Sequence, residues 1–180
     1  MKTKAMNYAP FGIAVFCIAL VGVGIGIWQA IQPKIEFQNL ETITDPPRKH
    51  IKNAKFYDLP PMGGDHNLQW QNCGVYDKPI QTEHAVHSLE HGAVWIAYQP
   101  DISAAERKAL VKFALGRPYV LVSPLAKMQS PIAIVAWGHR IKLQTINEDV
   151  MARFIQRFAG SLKAPEPAGP CIGGIGNPRW

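Results

Sequence analysis

The residues most able to do chemistry are three histidines and a glutamate that lie close together in the middle of the chain. Three of the six histidines, His84, His87 and His91, fall within eight consecutive residues, with Glu90 beside them. Neutral imidazole is the commonest protein ligand for transition metals, and two or three rings must converge at about 2.0 to 2.1 Å from one ion. The segment from His84 to Gly92 is therefore a candidate metal site.

The spacing of these histidines decides which of them can share an ion. In a helix over residues 83–91, His84, His87 and His91 share one face, at i, i+3 and i+7. In an extended chain His87 and His91 still share a face, but His84 points to the other side. His87 and His91 are therefore candidate ligands in both conformations, and His84 only in the helical one.

A glycine-rich loop that precedes this segment supplies the other candidate ligands. His66 lies in the sequence Gly-Gly-Asp-His-Asn at residues 63–67, and this loop can bring a further imidazole to the site. Met62 would add a thioether, which is a soft ligand that suits copper. We therefore predict a transition metal, copper before zinc, at His66, His87 and His91, with Met62 and Glu90 as conditional ligands, for storage, delivery or sensing of the metal.

Two other interpretations of the histidines remain open. They can form a buried network that satisfies backbone carbonyls and Glu90, as in a non-enzymatic accessory subunit of a membrane complex. His87-x-x-Glu90-His91 also matches the H-x-x-E-H motif of inverted zinc peptidases, in which the glutamate activates water. That motif needs a sustained helix and a distant acidic third ligand. The downstream candidates for this ligand are Glu106, Glu148 and Asp149.

Other catalytic arrangements have less support. We therefore expect a binding protein and not an enzyme. Ser88, Glu90 and His91 contain the groups of a serine hydrolase, but neighbours in one short segment cannot align all three. The sequence has no phosphate-binding loop, dinucleotide fingerprint or C-x-x-C pair.

Regular elements follow the histidine segment and would position it. Residues 93–98 are apolar, β-branched and aromatic, which predicts a buried strand. Ser103 and Glu106 form a capping-box pattern for a helix that ends at Gly116. The remaining predicted elements are strands at 119–123, 131–137 and 140–144, a turn at Gly138-His139 that exposes His139, and a helix from an Asn147 cap to Gly160.

The order of these elements predicts an α+β domain. A strand, a helix and a strand in succession predict parallel pairing of the two strands. The whole domain is expected to contain a mixed sheet, two helices and a long ordered loop region in front of them.

The cysteines predict one disulfide. Cys17 lies in an apolar segment and is expected to be a small apolar residue there. Cys73 and Cys171 form an even pair, which in an oxidising compartment predicts a disulfide that pins the Pro/Gly-rich tail at residues 164–180. The alternative is that Cys73 is a thiolate ligand of the metal.

An N-terminal membrane anchor is predicted at residues 11–31. This run is almost entirely apolar and is long enough to span a bilayer as a helix. Basic residues precede it and no acidic residue occurs before Glu36, so residues 1–10 are expected in the cytoplasm and the rest outside. A cleaved signal peptide is the alternative, but this run is longer than the apolar part of most signal peptides.

Behind the anchor we predict a stalk and one domain. The prolines at Asp45-Pro46-Pro47 favour extended backbone, so residues 32–52 are predicted to be a spacer with a solvated His50. Residues 53–163 then form a single extracytoplasmic domain, which is long enough to build a core.

The charge pattern does not indicate a nucleic-acid partner. The net charge is +6, and 17 basic against 13 acidic residues beyond the anchor leave +4 there. Basic residues are interspersed with acidic ones, without the dense basic block that nucleic-acid binding needs. The expected partners are membrane lipid, through residues 11–31, and a membrane-bound enzyme or complex.

Several motifs together resemble a bacterial domain family of unknown function. They are Pro60-Pro61-x-Gly63-Gly64-Asp65-His66, Trp70-x-x-Cys73-Gly74-x-Tyr76, Val86-His87-Ser88-Leu89-Glu90-His91-Gly92-Ala93-Val94, Ala136-Trp137-Gly138 and Gly169-Pro170-Cys171-x-Gly173-Gly174. That family is common in actinobacteria, and its members usually have one N-terminal membrane span. The resemblance therefore implies an anchored topology, and it makes His66, His87, Glu90 and His91 motif positions. Many relatives have proline at Asp65, so the resemblance implies no role for that carboxylate.

Overall fold

The computed structural model describes residues 37–179, which form one sheet of six strands with three helices. The elements are β1 (Glu41–Thr42), β2 (Gly74–Val75), α1 (Thr82–Glu90), β3 (Val94–Tyr98), α2 (Ala104–Val111), β4 (Val120–Pro124), β5 (Ile132–Ala136), β6 (His139–Leu143) and α3 (Glu148–Phe158). The predicted α+β class is confirmed for these residues. The predicted membrane helix at residues 11–31 and Cys17 lie outside them. None of the helices within residues 37–179 is long and apolar enough to cross a membrane.

The sheet is mixed, and its strand order is β1-β6-β5-β3-β4-β2. β3 and β4 are parallel neighbours with Val94 opposite Val120, and β2 is parallel to β4 on its other side. The remaining neighbours are antiparallel. The parallel pairing predicted from the strand, helix, strand order is therefore confirmed, and α2 provides the connection between β3 and β4.

Alternation along the central strands divides the core between two faces of the sheet. In β3, Ile96 belongs to the apolar cluster on the face that packs α2 and α3, whereas Trp95 belongs to the cluster on the face that packs α1. Every residue of β3, β4 and β5 is buried. Helix α1 therefore packs on a buried sheet, with Ala85 and Leu89 in the same apolar cluster as Trp95.

Helix α1 carries the histidine segment, and its end is set by a glycine. The N–H of Gly92 donates to the carbonyl of Leu89 and the N–H of Ala93 to that of Ser88, both at 2.9 Å, which is a Schellman motif. This motif needs a left-handed residue, and Gly92 has φ of +94°. The chain can therefore leave the helix and enter β3 within three residues.

Residues 37–51 belong to the folded domain, so the stalk prediction is wrong for them. Glu41 and Thr42 pair with β6, and the Phe37 ring lies 5.7 Å from that of Phe154. Pro46 is buried. A proline-rich composition favours extended backbone, but extended backbone can also form an edge strand.

The hairpin between β5 and β6 also differs from the prediction. Trp137 and Gly138 occupy the turn, and His139 pairs with Ala136 as the first residue of β6. The His139 ring is half-buried and stacks on Phe158 with centroids 4.6 Å apart. A type II′ turn requires a positive φ at the first of its two central residues. Here the positive φ, +77°, belongs to Gly138, which is the second.

A disulfide joins Cys73 to Cys171, as predicted, with both side chains buried. Backbone bridges on either side of it connect Gln71 with Ile175 and Val75 with Arg179. The C-terminal tail is thereby attached to the edge of the sheet at β2. Since Cys73 is in the disulfide, it does not supply the thiolate ligand that we considered as an alternative.

Candidate metal centre

Four histidine rings are oriented by backbone carbonyls, each of which faces an Nδ1 atom. The distances are 2.8 Å from His66 to Gly64, 2.6 Å from His84 to Gln69, 2.7 Å from His87 to Asn67 and 2.7 Å from His91 to Pro170. A carbonyl oxygen can only accept, so each Nδ1 carries a proton and donates it. In a neutral ring Nε2 then keeps its lone pair, which is how proteins prepare a histidine to bind a metal.

The loop that supplies three of these carbonyls is fixed to α1 by Glu83. Its carboxylate accepts hydrogen bonds from the Ala54 N–H at 2.8 Å and from the Asn67 side chain at 3.0 Å. The N–H of Gln71 donates to the carbonyl of His84 at 3.1 Å. The histidines of α1 therefore face a loop that is held in place, not bulk water.

A first group of possible ligand atoms comes from four residues. His50, His66, His87 and Glu90 each offer one atom, and these atoms all lie within 4.8 Å of one another. The Oε2 atom of Glu90 lies 2.9 Å from Nε2 of His66 and 3.7 Å from Nε2 of His50. His66, His87 and Glu90 are 0%, 3% and 2% exposed, so this inner group is enclosed, and His50 is its one exposed member.

Two atoms of the inner group are buried without a hydrogen-bond partner. They are Nε2 of His66 and Oε2 of Glu90. They lie 2.9 Å apart, and in a neutral His66 ring this places the lone pair of Nε2 against a carboxylate oxygen. Leaving such groups unpaired in the interior costs about 1 to 3 kcal/mol each. A cation bound by both atoms would offset that cost.

A second group of possible ligand atoms lies on the other side of His87. His87, His91 and Glu166 offer atoms within 4.8 Å of one another, and Nε2 of His91 is 3.2 Å from Oε2 of Glu166. The Glu166 side chain is 50% exposed, so this outer group faces the surface. Both groups contain His87.

The C-terminal tail builds the outer group. The N–H of Glu166 donates to the carbonyl of Glu90 at 3.1 Å, which brings the tail across the end of α1. Gly169 lies against the His91 ring so closely that a Cβ atom there would be 2.6 Å from the ring. A glycine is therefore required at this position, and the Cys73–Cys171 disulfide follows two residues later.

Two tryptophans enclose the rings. Trp70 lies 5.9 Å from His87 and 5.2 Å from His91, between ring centroids, and Trp137 lies 5.8 Å from His66. An apolar wall of this kind limits water access and strengthens electrostatic interactions between the groups inside it.

Burial and mutual repulsion keep His87 neutral. Burial lowers its pKa to about 4, and the neighbouring His91, His66 and His50 act in the same direction. Burial also lowers the pKa of His66, but the Glu90 carboxylate and the Gly64 carbonyl outweigh it, so that this pKa is raised. Burial opposes ionisation of Glu90, yet the adjacent histidines hold its pKa below the usual value. The centre thus combines a carboxylate with at least one neutral imidazole at pH 7.

Other predicted ligands lie outside both groups. Nε2 of His84 lies 3.0 Å from Oε1 of Gln81, so both ring nitrogens of His84 are already engaged. Met62 packs against the apolar cluster of α1 and the sheet. Asp65, which was not among the predicted ligands, accepts a hydrogen bond from the Lys49 N–H at 2.9 Å.

Sequence reasoning missed His50 and Glu166. His50 was expected to be solvated, but its ring stacks on His87 at 4.9 Å, because residues 49–51 pair with His66 through backbone hydrogen bonds of 2.7 and 3.0 Å. Glu166 lies five residues before Cys171, so the predicted disulfide already implied that this glutamate returns to the loop near Cys73. The signal for His50 was weaker, since nothing in its own segment indicates the bridge.

The residues considered for catalysis are placed as follows. The Ser88 hydroxyl donates to the carbonyls of Gln71 and His84 at 2.7 and 3.2 Å, which excludes the serine triad. Glu106 is in the capping box of α2. Glu148 and Asp149 are exposed in the first turn of α3. The acidic partner of His87 and His91 is instead Glu166.

Comparison with known proteins gives one match. The family described as "Protein of unknown function (DUF3105)" matches residues 49–173. This range includes every residue of the inner and outer groups and both cysteines of the disulfide. No curated protein and no solved structure matches the chain.

Proposed function

We propose that this chain, which belongs to the DUF3105 family of proteins of unknown function, binds one transition metal ion. The ligands in the loaded state are His66, His87 and Glu90, and His50 completes the coordination. The observation that carries the proposal is the pair of buried atoms without hydrogen-bond partners, Nε2 of His66 and Oε2 of Glu90.

The physical argument has two steps. An apolar interior tolerates polar atoms only where they are paired, so two unpaired atoms in contact need a common partner. Three neutral imidazoles and one carboxylate would give a divalent cation four donors while leaving a net charge of only +1. This donor set therefore compensates the cost of burying the ion far better than histidines alone.

Copper is the first candidate metal and zinc the second. The donors are nitrogen and oxygen, and divalent copper binds such sites more tightly than the other first-row metals. The thioether of Met62, one of our sequence-based reasons for copper, lies in the apolar cluster and does not support it. The preference now depends on the donor set and on an extracytoplasmic location.

The alternative to metal binding is that the same residues form a purely structural histidine network. In such a network we would expect every buried atom to have a partner, as Ser88 and His84 do. The inner group does not meet this condition. A protonated His66 would pair only with Glu90, whereas a metal ion would bind both atoms together with the neutral His87.

We place the domain outside the cytoplasm, anchored by residues 11–31. The support is the apolar length of that segment, the basic residues before it and the disulfide, which suits an oxidising compartment. The role is storage or delivery of the metal near a membrane-bound enzyme. Protease added to intact cells should remove the domain, and a domain that is protected until the membrane is broken contradicts this topology.

The test of metal binding uses the full chain, purified in mild detergent and reconstituted with Cu²⁺ or Zn²⁺. After desalting, elemental analysis should give one ion per wild-type chain. His87→Ala should lose the ion, because His87 belongs to both ligand groups.

His84→Ala is the matched control, since His84 is buried on the same helix but has both nitrogens engaged. It should retain the ion. No ion in the wild type, or equal metal in all three proteins, contradicts the proposal.

One observation favours a metallohydrolase as a second candidate. Helix α1 with His87, His91 and the distant Glu166 reproduces the ligand set of the H-x-x-E-H motif, with Glu90 left as the base. Glu90→Gln separates the two functions. A protein that keeps its zinc but loses a measured peptide hydrolysis supports the enzyme, whereas weakened metal binding supports Glu90 as a ligand.

A further inference from the structure

The two ligand groups share one residue, and the chemistry of that residue limits how they can be filled. The Nδ1 of His87 donates to the carbonyl of Asn67 at 2.7 Å, so only Nε2 can bind a metal. One lone pair binds one ion. The inner and outer groups therefore cannot both use His87 at the same time.

The groups also differ in their access to solvent. In the inner group, His66, His87 and Glu90 are buried beside Trp137 and the loop, and His50 is the exposed member. In the outer group, the Glu166 side chain is 50% exposed and can meet a hydrated ion directly. An ion that reaches the inner group from this side passes His91 and Glu166 first.

The rings are spaced for an exchange of ligands. The His87 ring centroid lies 4.6 Å from that of His91 and 4.9 Å from that of His66. In each of the two groups, the possible ligand atoms lie within 4.8 Å of one another. A small movement of the ion, or of the His87 ring, is then enough to change partners.

We propose that the outer group is a loading site, from which His87 passes the ion to the inner group. Glu166 and His91 bind the incoming ion together with His87. The bonds to His91 and Glu166 then break while bonds to His66 and Glu90 form, and the bond to His87 is kept throughout. The oxidation state of the ion does not change. Such a path exists only if the domain binds metal as proposed above.

The loading site gives Glu166 a kinetic role that a structural residue would not have. Removing its charge should slow association on the order of tenfold, because a carboxylate at an entrance raises the local concentration of cations. The number of ions bound at equilibrium should not change, since Glu166 is absent from the inner group.

The experiment follows Cu²⁺ binding to the full chain in detergent by stopped-flow tryptophan fluorescence, with Trp70 and Trp137 as reporters beside the rings. Glu166→Gln is compared with wild type and with Glu148→Gln, which removes an exposed charge on α3. Slower loading of Glu166→Gln alone, with one ion bound in each protein, supports the path. Equal rates in all three proteins overturn it.

Stoichiometry and spectroscopy give independent answers. Two ions per wild-type chain would mean that the groups fill separately, which overturns sharing through His87 but leaves metal binding intact. No ion at all overturns both proposals. In the loaded protein, the electron paramagnetic resonance spectrum of Cu²⁺ should change in His66→Ala and stay the same in His91→Ala, and the reverse result overturns the direction of transfer.

Discussion

Arg140 and His66 are both buried completely, but the chain surrounds them differently. Arg140 is 1% exposed, and each of its three guanidinium nitrogens donates a hydrogen bond, to Glu41, Asp58 or the carbonyl of Pro60. His66 is 0% exposed, and its Nε2 has no partner although a carboxylate is in contact. The first cluster is complete, whereas the second lacks a component.

The difference indicates which buried polar clusters hold the fold together and which bind something else. A buried ion pair in which each nitrogen has a partner is a structural element, because removing one member leaves the others unpaired. A buried cluster with unpaired atoms lowers the stability of the empty protein, and proteins retain such clusters at functional sites. Variants in the two clusters should therefore affect different properties.

Loss of the arginine should produce the largest effect on stability. Arg140→Leu leaves the Pro60 carbonyl unpaired and removes the shared partner of Glu41 and Asp58, whose carboxylates water can still reach, so we expect a loss of about 3 kcal/mol in the free energy of unfolding. Lys142→Met is the control, because Lys142 lies 3.3 Å from Glu41 but is more exposed, and it should cost less than about 1 kcal/mol. Urea denaturation measures both. If Arg140→Leu also lost metal, the two clusters would not be independent.

Acid should destabilise the metal-free protein through His87. Its pKa falls from an ordinary 6.5 to about 4 in the fold, so the unfolded chain binds a proton at a higher pH than the folded chain. Stability is full above pH 6.5 and falls as the pH drops towards 4, by about 3 kcal/mol at most. Glu90, whose pKa is lowered, adds a loss as the pH falls below its ordinary 4.5, whereas His66, whose pKa is raised, adds stability as the pH falls towards 6.5.

His87→Gln isolates this contribution. The difference in unfolding free energy between the variant and wild type, measured with chelator present, should shift in favour of the variant between pH 6.5 and 4. Parallel stability curves for the two proteins would show that His87 is not held neutral by the fold.

Metal should stabilise the protein by completing the histidine cluster. A ligand that binds only the folded state adds about 2.7 kcal/mol at a hundredfold excess over Kd. Wild type, Lys142→Met and His84→Ala should gain this amount when Cu²⁺ is added, and His87→Ala should gain nothing. Denaturation with and without metal checks it, and an equal gain in His87→Ala would place the ion elsewhere.

The tail should show the smallest effect. Gly169→Ala places a methyl group within 2.6 Å of the His91 ring, so the tail or the ring must move, at a cost of about 1 to 2 kcal/mol. In a His91→Ala background the same substitution should cost less, because the ring is gone. Equal costs in the two backgrounds would mean that the tail does not pack on His91.

Much of the fold could be predicted from local patterns. The capping box of Ser103 and Glu106, the Asn147 cap and the apolar run of β3 are signals contained within a few residues, and the structure confirms them. The prediction that His139 lies in the turn was wrong. The turn is formed by Trp137 and Gly138, one residue earlier, and the composition of the segment does not distinguish the two positions. Such a shift moves a side chain between the turn and a strand.

The site was less predictable because it depends on distant pairings. His87 and His91 were recognisable from their spacing on one helix, but the partner of each comes from a segment far away in the sequence. His50 reaches His66 through a backbone bridge, and Glu166 reaches His91 through the tail. Spacing within one segment contains no information about either contact.

The attachment of the tail by Cys73–Cys171 also sets the order in which the site can be assembled. A ribosome completes His50, His66 and α1 long before Glu166 and Pro170, since the two cysteines are 98 positions apart. Until residues 166–170 are made, Glu166 and the Pro170 carbonyl that orients the His91 ring are both absent. A chain that is still being synthesised therefore contains every inner ligand but lacks Glu166, so the outer group is the last part of the centre to be assembled.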